Sequence, residues 1–319
     1  MYKLVPQYWP LSQSTIEKDE KVYRKYIHLE FGEQKITEIT KQDVRKTLVT
    51  CASHCVNQHV RNVKTVWHKT FTVAIEKDIV TKDLTQFIKA PKGEHITKRQ
   101  QSEENITEAD FQRFCAAMEE YGHYLPHEMK KIYNRTIMLM MLKLERITGI
   151  RGQEVRAIHR NAITFENSET ADGQMVEKAK LRIVVSIGST YTEKLTVKHT
   201  KTKKSARIMP VYGEGVQLLR DALNYSKHDL LFVKYDGTPF STDEYFDYLY
   251  RVSRSCGIKV YSTLMRKSFS SDLLGGNVDP ESVKELMGHE TINMSLYYAS
   301  STQERLNESM KSRESLYKK

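Results

Sequence analysis

Cysteine is scarce in this sequence of 319 residues. The four cysteines, at positions 51, 55, 115 and 256, are too sparse for the disulfide framework of a small secreted protein and favour a reducing, cytoplasmic compartment. Two of them belong to Cys51-Ala52-Ser53-His54-Cys55. That spacing matches no usual zinc site, and helix packing is the favoured interpretation. We therefore predict no metal site.

Long hydrophobic runs are also missing. The longest, Ile137–Leu142, stops at Lys143 and is far too short to span a bilayer. The N-terminus lacks the apolar core of a secretion signal, and there is neither an internal repeat nor a low-complexity tract. We therefore predict a soluble cytoplasmic protein.

Basic residues are in excess, with 50 Lys and Arg against 40 Asp and Glu and a net charge of +10. This balance favours a polyanionic partner, although a merely soluble basic surface would explain it equally well. The length is sufficient for one sizeable core or for two.

Residues 1–90 are predicted to form a helical domain. The apolar spacing indicates helices over 14–31, 44–51 and 56–77, and the second of these is preceded by a Thr40 cap. Basic side chains lie between the apolar positions of the third helix. Such a basic face is what a DNA-clamping domain needs, although an apolar stripe alone indicates only a core.

Residues 91–106 are polar and contain Pro and Gly, which is typical of a linker between domains. After it, one helix is predicted to begin at Thr107 with its apolar face running to Met118, and a second over about 128–147. The period then changes: 180–187 and 190–198 are predicted to pair as a β-hairpin, and 206–211 to form a third strand. A last helix begins at Asp279-Pro280 and ends at Gly288. The fold class is therefore mainly α with a small antiparallel β-sheet or hairpin.

Several short motifs carry candidate chemistry. They are Gly149-x-Arg151-x-x-Glu154, the turn Lys201-Thr202-Lys203-Lys204-Ser205-Ala206-Arg207, the lone Arg266, the pair Gly288-His289, and Tyr298 nine residues after that histidine. Each alone has an ordinary structural explanation, such as an ion pair, a solvated charge run or a structural histidine. Together they supply the groups that attack a phosphodiester without a metal.

In this order the motifs resemble the tyrosine recombinase (phage-integrase-type) family. The resemblance covers about 107–300, and the helical segment before it looks like that family's core-binding domain. It implies a helical core-binding domain over 1–90 and an α+β catalytic domain over 107–300. Residues 301–319 are then a tail or a helix that docks on a neighbouring protomer.

The resemblance implies a role for each motif residue. Arg151 and Arg266 are expected to bind the scissile phosphate, because a guanidinium matches two phosphate oxygens and stays charged. Lys201 is expected to protonate the 5′-oxygen leaving group. Lys203 and Lys204 could take that role if the register slips.

His289 is expected to contact the phosphate or assist proton transfer, and Glu154 to orient the site. Tyr298 is expected to be the nucleophile that forms a 3′-phosphotyrosyl bond. Tyr297 is its competitor, but the nine-residue spacing from His289 favours Tyr298. The side chains expected to contact DNA are Arg61, Lys64, Lys69, Lys203, Lys204 and Arg207.

One position departs from the family pattern. The family usually has a histidine three residues before the second arginine, and here that place is held by Thr263. A threonine can donate a hydrogen bond to phosphate but cannot act as a base near neutral pH. We expect the chemistry to be retained, at a slower rate.

The resemblance implies a site-specific recombinase that acts on double-stranded DNA within a homotetramer and needs no metal, nucleotide or organic cofactor. Two alternatives remain at this point: a type IB topoisomerase-like enzyme, and a DNA-binding regulator with a decayed active site. Larger family members carry an N-terminal arm-binding domain, and the sequence suggests that this domain is absent here.

Overall fold

The computed structural model describes residues 5–9, 11–93, 105–121, 129–169, 172–189, 195–199 and 206–292. These residues form two compact units, one over 5–93 and one over 105–292. The first is helical, and the second combines helices with small antiparallel sheets. The predicted fold class, mainly helical with a small antiparallel sheet, is confirmed.

The first unit contains five α-helices and one π-helical stretch among its described residues. They are α1 Val5–Tyr8, α2 Gln13–Tyr23, the π-helical stretch Arg24–His28, α3 Leu29–Phe31, α4 Lys41–Ala52 and α5 Asn57–Glu76. The predicted cap is present: the Thr40 hydroxyl accepts a hydrogen bond from the Asp43 amide at 3.3 Å, and the Asp43 carboxylate accepts from the Thr40 amide at 2.8 Å. This reciprocal pair fixes the start of α4.

Aromatic side chains from two helices pack together in the core of the first unit. Trp67 on α5 stacks on Phe71 with ring centroids 5.7 Å apart, and Phe31 meets Trp67 edge-on at the same distance. Cys51 is completely buried in this core, and the Cys55 sulfur lies 3.1 Å from the Tyr26 hydroxyl. Among the described residues, no group of three His, Cys, Asp or Glu side chains could hold a metal ion.

Lys69 lies inside the first unit. It is 6% exposed, and its ammonium donates to the Asp19 carboxylate at 2.5 Å while lying 5.4 Å from the centre of the Trp9 ring. Arg61, two turns earlier on α5, is exposed. The α5 basic face therefore includes Arg61 but not Lys69, and the expectation that Lys69 contacts DNA does not fit its burial.

The second unit contains seven α-helices and five strands among its described residues. The helices are α6 Glu108–Tyr121, α7 Met129–Thr148, α8 Gly152–Val155, α9 Glu214–Tyr225, α10 Thr242–Cys256, α11 Ser262–Gly275 and α12 Pro280–Met287. The strands are β1 Ile163–Glu169, β2 Met175–Ile183, β3 Val185–Ser189, β4 Leu195–His199 and β5 Arg207–Tyr212. A short 3₁₀ turn, Arg160–Ala162, precedes β1.

The strands form two separate antiparallel sheets. In the larger sheet the order is β1-β2-β5, with Leu181 of β2 opposite both Ile163 and Met209. In the smaller one, β3 pairs with β4, and Val185 lies opposite His199. The first strand of the predicted hairpin, 180–187, is not one strand but spans the end of β2 and most of β3. Strand β1 was not predicted from the sequence. After Ile163, β1 is largely polar and only partly buried, which removes the apolar alternation that predicts a strand.

One large core holds the second unit together. Helices α6, α7, α10 and α11 contribute fully buried side chains, including Phe114, Met141, Leu142, Leu144, Val252 and Met265. The buried face of the larger sheet adds Ala179, Leu181 and Met209. Within the described part of the chain, no helix is both long and apolar enough to cross a membrane.

The buried pair between Lys69 and Asp19 predicts a stability effect. We expect Lys69→Met to lower the free energy of unfolding by about 3–5 kcal/mol, because it leaves the Asp19 carboxylate buried without its partner. Urea unfolding followed by tryptophan fluorescence measures the change. Replacing both residues by apolar ones should recover most of the loss.

The matched control is Arg61→Ala, an exposed basic residue on the same helix, for which we expect a change within about 0.5 kcal/mol. A Lys69→Met variant as stable as this control would contradict the role of the buried pair.

Candidate active site

A sharp turn after α7 positions Arg151. Gly149 adopts φ +63, and a Cβ atom there would lie 2.2 Å from the Phe269 ring, so neither the backbone nor the space admits another residue easily. The turn returns the chain into the short helix α8, with Arg151 at its N-cap. The Arg151 side chain is 36% exposed, which leaves it accessible to a ligand.

Glu154 joins two arginines from inside the protein. Its side chain is 3% exposed, and its carboxylate accepts from the Arg151 amide at 3.0 Å and from the Arg151 guanidinium at 2.9 Å. The guanidinium of Arg207 donates to the same carboxylate at 2.9 Å and 3.3 Å. Burial alone would raise the pKa of Glu154, but the bonds and charges of Arg207 and Arg151 outweigh it and hold the pKa below its usual value. Glu154 therefore stays ionised.

Arg266 projects from the first half of α11 and is 5% exposed. Its Nη1 donates to the Gly149 carbonyl at 2.6 Å, and its Nη2 donates to the Met287 carbonyl. The first contact ties α11 to the turn that carries Arg151, and the second ties it to the end of α12. The two arginines predicted to bind phosphate therefore share one small region.

The end of α12 is where three arginines meet. Arg207 Nε donates to the Leu286 carbonyl at 2.7 Å, Arg266 donates to the next carbonyl, and Arg151 Nη2 donates to the Gly288 carbonyl at 3.3 Å. The last carbonyls of a helix have no partner within it and lie at the negative end of the helix dipole. Guanidinium donors satisfy them, and the helix end in turn fixes the arginines.

His289 follows directly after this helix end. Gly288 closes α12 in the left-handed region, with φ +60, and a Cβ atom there would lie 3.0 Å from Arg207 Nη1. The next residue, His289, is 3% exposed. Burial, followed by the charges of Arg266, Arg151 and Arg207, lowers the pKa of His289 to about 3. The imidazole is therefore neutral at neutral pH, with one ring nitrogen able to accept a hydrogen bond.

Thr263 lies one turn before Arg266 on α11, and it is exposed. Its neighbour Ser262 is buried. The hydroxyl of Thr263 is therefore accessible from solvent at the same end of the helix that carries the second arginine.

Four predicted catalytic or DNA-contacting residues lie outside the described residues: Lys201, Lys203, Lys204 and Tyr298. The competing Tyr297 lies outside them as well. The described part of the site therefore consists of the two arginines, Glu154 and His289, with Thr263 nearby.

Arg207, expected to contact DNA, lies inside the protein. Its side chain is 7% exposed, and its guanidinium joins Glu154 to the Leu286 carbonyl. That position fits an organising role within the site better than a surface contact. The sequence signal was misleading because Arg207 ends a lysine-rich turn, where a solvated charge is the usual expectation.

Two further buried charges behind the site were not found from the sequence. Arg156 is 1% exposed and Glu145 is completely buried. Burial raises the pKa of Glu145 to about 8. A signal did exist: Glu145 follows the apolar run of α7, and Arg156 stands between Val155 and Ala157, so each is a charge within an apolar segment.

The electrostatics of the site favour an anion. Arg151, Arg207 and Arg266 converge on one region in which, among the described residues, Glu154 pairs with two of the arginines and His289 is neutral. Planar guanidinium groups suit the oxygens of a phosphate. The arrangement can therefore hold a phosphodiester and stabilise the additional negative charge of its transition state.

Comparisons with known proteins agree with this geometry. The model of the phage integrase family matches residues 104–305, which is more than half of the chain. No curated protein sequence matches it.

Solved structures show the same fold at low identity. The Tn1549 transposon integrase in complex with transposon right end DNA has a TM-score of 0.72 and 16% identity, and the match covers 97% of each chain. XerH site-specific recombinase bound to palindromic difH substrate has a TM-score of 0.64 and 16% identity, covering 91% of this chain and 78% of that one. A lambda integrase dimer bound to a COC′ core site has a TM-score of 0.63 and 13% identity, covering 95% and 94%.

The matched region contains the convergent arginines, the buried glutamate and the histidine described above. The chain therefore belongs to the phage integrase family, the tyrosine site-specific recombinases.

Proposed function

We propose that this recombinase cleaves and rejoins DNA through a 3′-phosphotyrosyl intermediate formed by Tyr298. The observation that carries the proposal is the convergence of Arg151, Arg266 and a neutral His289 at the end of α12. Attack by the tyrosine oxygen forms a bond to phosphorus and breaks the bond to the 5′-oxygen. The energy of the phosphodiester is kept in the protein–DNA bond and is available for rejoining.

The two arginines hold the nonbridging oxygens of the scissile phosphate. Arg151 is accessible, whereas Arg266 is nearly buried and is fixed by carbonyls of Gly149 and Met287. Because their positions are set before the DNA arrives, they stabilise the developing charge without much reorganisation. Glu154, itself paired with Arg207, orients Arg151 through the ion pair on the buried side of the site.

His289 accepts the proton of the nucleophile or bonds to the phosphate. Burial, and after it the surrounding arginines, lowers the pKa of His289, so the protein alone holds it in the neutral form. A bound phosphate adds negative charge beside it, which raises the pKa and strengthens it as a base.

Lys201 protonates the 5′-oxygen as it leaves, with Lys203 and Lys204 as the alternatives. Tyr298 is preferred to Tyr297 as the nucleophile because of its spacing from His289. Thr263, in the place of the usual histidine, donates a hydrogen bond to the phosphate.

The partner is double-stranded DNA, and the active assembly is a homotetramer. The proposal is supported by the net charge of +10 and by solved relatives that are DNA complexes, among them a lambda integrase tetramer bound to a Holliday junction. The helical unit, residues 1–90, is the core-binding domain, and exposed Arg61 with half-buried Lys64 contacts the DNA backbone. Residues 91–106 link it to the catalytic domain over 107–300, and 301–319 dock on a neighbouring protomer. The protein acts in the cytoplasm.

A suicide DNA substrate tests the nucleophile. With cognate DNA nicked next to the scissile phosphate, the 5′-hydroxyl fragment is lost and the covalent protein–DNA adduct accumulates. We expect Tyr298→Phe to abolish the adduct on a denaturing gel, because phenylalanine has no attacking oxygen.

Tyr297→Phe is the matched control and should leave the adduct yield unchanged. An adduct that persists in Tyr298→Phe and disappears in Tyr297→Phe reverses the assignment. No adduct from the unchanged protein on cognate DNA would contradict the covalent mechanism and support a DNA-binding regulator.

Replacing Thr263 by histidine tests the departure from the family pattern. We expect Thr263→His to cleave at least as fast as the unchanged protein in single-turnover experiments, since a histidine adds a proton acceptor of the kind that contributes about 10²–10⁴-fold. Thr263→Val should be slower by roughly tenfold or more, because it removes a hydrogen bond to a charged group. A large loss in Thr263→His would show that this chain depends on the threonine itself.

The protonation of His289 is accessible to NMR. Its pKa of about 3 lies below the unfolded value of about 6.5, so the folded protein favours the neutral ring. We expect the His289 ring signals of the free protein to stay constant from pH 8 to pH 5. The stability that His289 contributes is present above its unfolded pKa and is lost as the pH falls towards its folded one.

The His289→Gln variant identifies these signals by their disappearance. A titration of His289 in the free protein with a midpoint near 6.5 would show that burial and the three arginines do not depress its pKa.

A further inference from the structure

Arg156 is a buried charge behind the candidate active site for which the proposed mechanism has no use. It follows α8 directly, five residues after Arg151, and is 1% exposed. Moving a charged side chain out of water is costly unless hydrogen bonds and an opposite charge compensate it. A buried arginine at this position therefore calls for an explanation.

Its guanidinium donates to three separate segments. Nε donates to the Gly152 carbonyl at 3.0 Å, directly after Arg151. Nη2 donates to the Ile187 carbonyl in β3 at 3.2 Å and to the Thr242 hydroxyl at 2.9 Å, and Nη1 donates to the Phe240 carbonyl at 2.7 Å. One side chain thus links the Arg151 segment, the β3–β4 hairpin and the start of α10.

Glu145 is the buried acidic neighbour of Arg156, but burial raises the pKa of its carboxyl group to about 8, so the hydrogen bonds of the guanidinium provide most of the compensation. Burial lowers the pKa of Arg156, and the ionised form of Glu145 acts against that shift. Glu145 also lies against the start of α8, since a Cβ atom on Gly152 would be 3.1 Å from its Oε1. The buried glutamate and arginine therefore hold the α8 segment from behind.

The hairpin contact is the one with a consequence for catalysis. β3 and β4 form a sheet of their own, separate in hydrogen bonding from β1-β2-β5. The hairpin is therefore not aligned with the site by strand pairing to the larger sheet. Arg156 instead joins β3 to the residue beside Arg151. The chain leaves β4 at His199, two residues before Lys201.

We propose that Arg156 is a positioning residue that holds β3, and through it β4, against the Arg151 segment, and that it thereby acts on the proton delivery assigned to Lys201. The inference rests on the proposed function, in which Lys201 delivers the proton to the leaving 5′-oxygen. A guanidinium suits this role because its rigid fork can bond several carbonyls in different directions at once. A lysine ammonium is a compact charge without that planar fork.

A change of leaving group separates this role from a general structural one. When the tyrosine oxygen bonds to phosphorus, the bond from phosphorus to the 5′-oxygen breaks and that oxygen must take a proton. If sulfur replaces the 5′-oxygen, the bond from phosphorus to sulfur breaks and a thiolate leaves unprotonated, because thiol pKa values are near ~8.5. A defect confined to proton delivery therefore disappears on the sulfur substrate, and a defect in phosphate binding persists.

The experiment compares single-turnover cleavage of the oxygen and sulfur substrates by the full chain. We expect Arg156→Lys to slow cleavage of the oxygen substrate by about a hundredfold, the lower end of general acid catalysis. On the sulfur substrate it should cleave at nearly the rate of the unchanged protein. An equal loss on both substrates, or no loss on either, overturns the proposal.

Two controls separate this inference from the proposed function. Arg151→Lys should lose activity on both substrates, because it acts on the nonbridging oxygens. Lys201→Ala should lose activity on oxygen only. If the sulfur substrate does not restore cleavage by Lys201→Ala, the proposed role of Lys201 is wrong, and so is that of Arg156. If it restores cleavage by Lys201→Ala but not by Arg156→Lys, only the role of Arg156 is overturned.

A second variant covers the case in which Arg156→Lys does not fold. Ile187 is completely buried, so Ile187→Ala loosens the same strand without removing a buried charge. It should show the same loss, restored by sulfur, and hydrogen exchange should rise over residues 185–189 but not over β5. Equal losses on both substrates, or unchanged exchange in β3, would overturn the proposal.

Discussion

The active site depends on one buried carboxylate held between two guanidinium groups. Glu154 pairs with Arg151 on one side and with Arg207 on the other. Without its charge, the guanidinium groups of Arg151 and Arg207 would repel each other with no opposite charge between them. With it, Arg151 is fixed at the N-cap of α8 and Arg207 is directed towards α12. The geometry that a phosphate meets is therefore set by a residue that we do not expect to touch the phosphate.

The end of α12 is the second source of negative charge. Three consecutive carbonyls, from Leu286 to Gly288, accept from three different arginines. A helix end provides only partial charge, so it attracts the guanidinium groups without neutralising them. This suits an anion-binding site, because the positive charge remains available to a ligand. It also places His289 among cations, where its pKa is lowered and the neutral ring is favoured.

Most of the architecture could be predicted from the sequence, because helix caps and apolar spacing are local signals. The Thr40 cap, the long helix α5 and the helix that begins at Asp279 all follow from such signals. The motif residues 151, 154, 266 and 289 could be selected together because their order, rather than any one of them, is informative. The fates of Lys69 and Arg207 could not be predicted. Both are basic residues in charged segments, and only the packed structure shows that each has a buried carboxylate as its partner. The apolar neighbours of Arg156 indicate that it is buried, but its partners could not be predicted because they include backbone carbonyls from distant segments.

Gly288 combines two constraints at one position. Its left-handed backbone ends α12, and a Cβ atom there would make a tight contact of 3.0 Å with Arg207 Nη1. A different residue would therefore have to adopt an unfavourable backbone conformation and also press on the guanidinium that bonds to Glu154. The choice of glycine at position 288 therefore depends on the arginine at position 207, in a strand more than seventy residues earlier in the chain. If this segment were exchanged between two recombinases, Arg207 of β5 would have to be exchanged as well, because Gly288 and Arg207 are in contact.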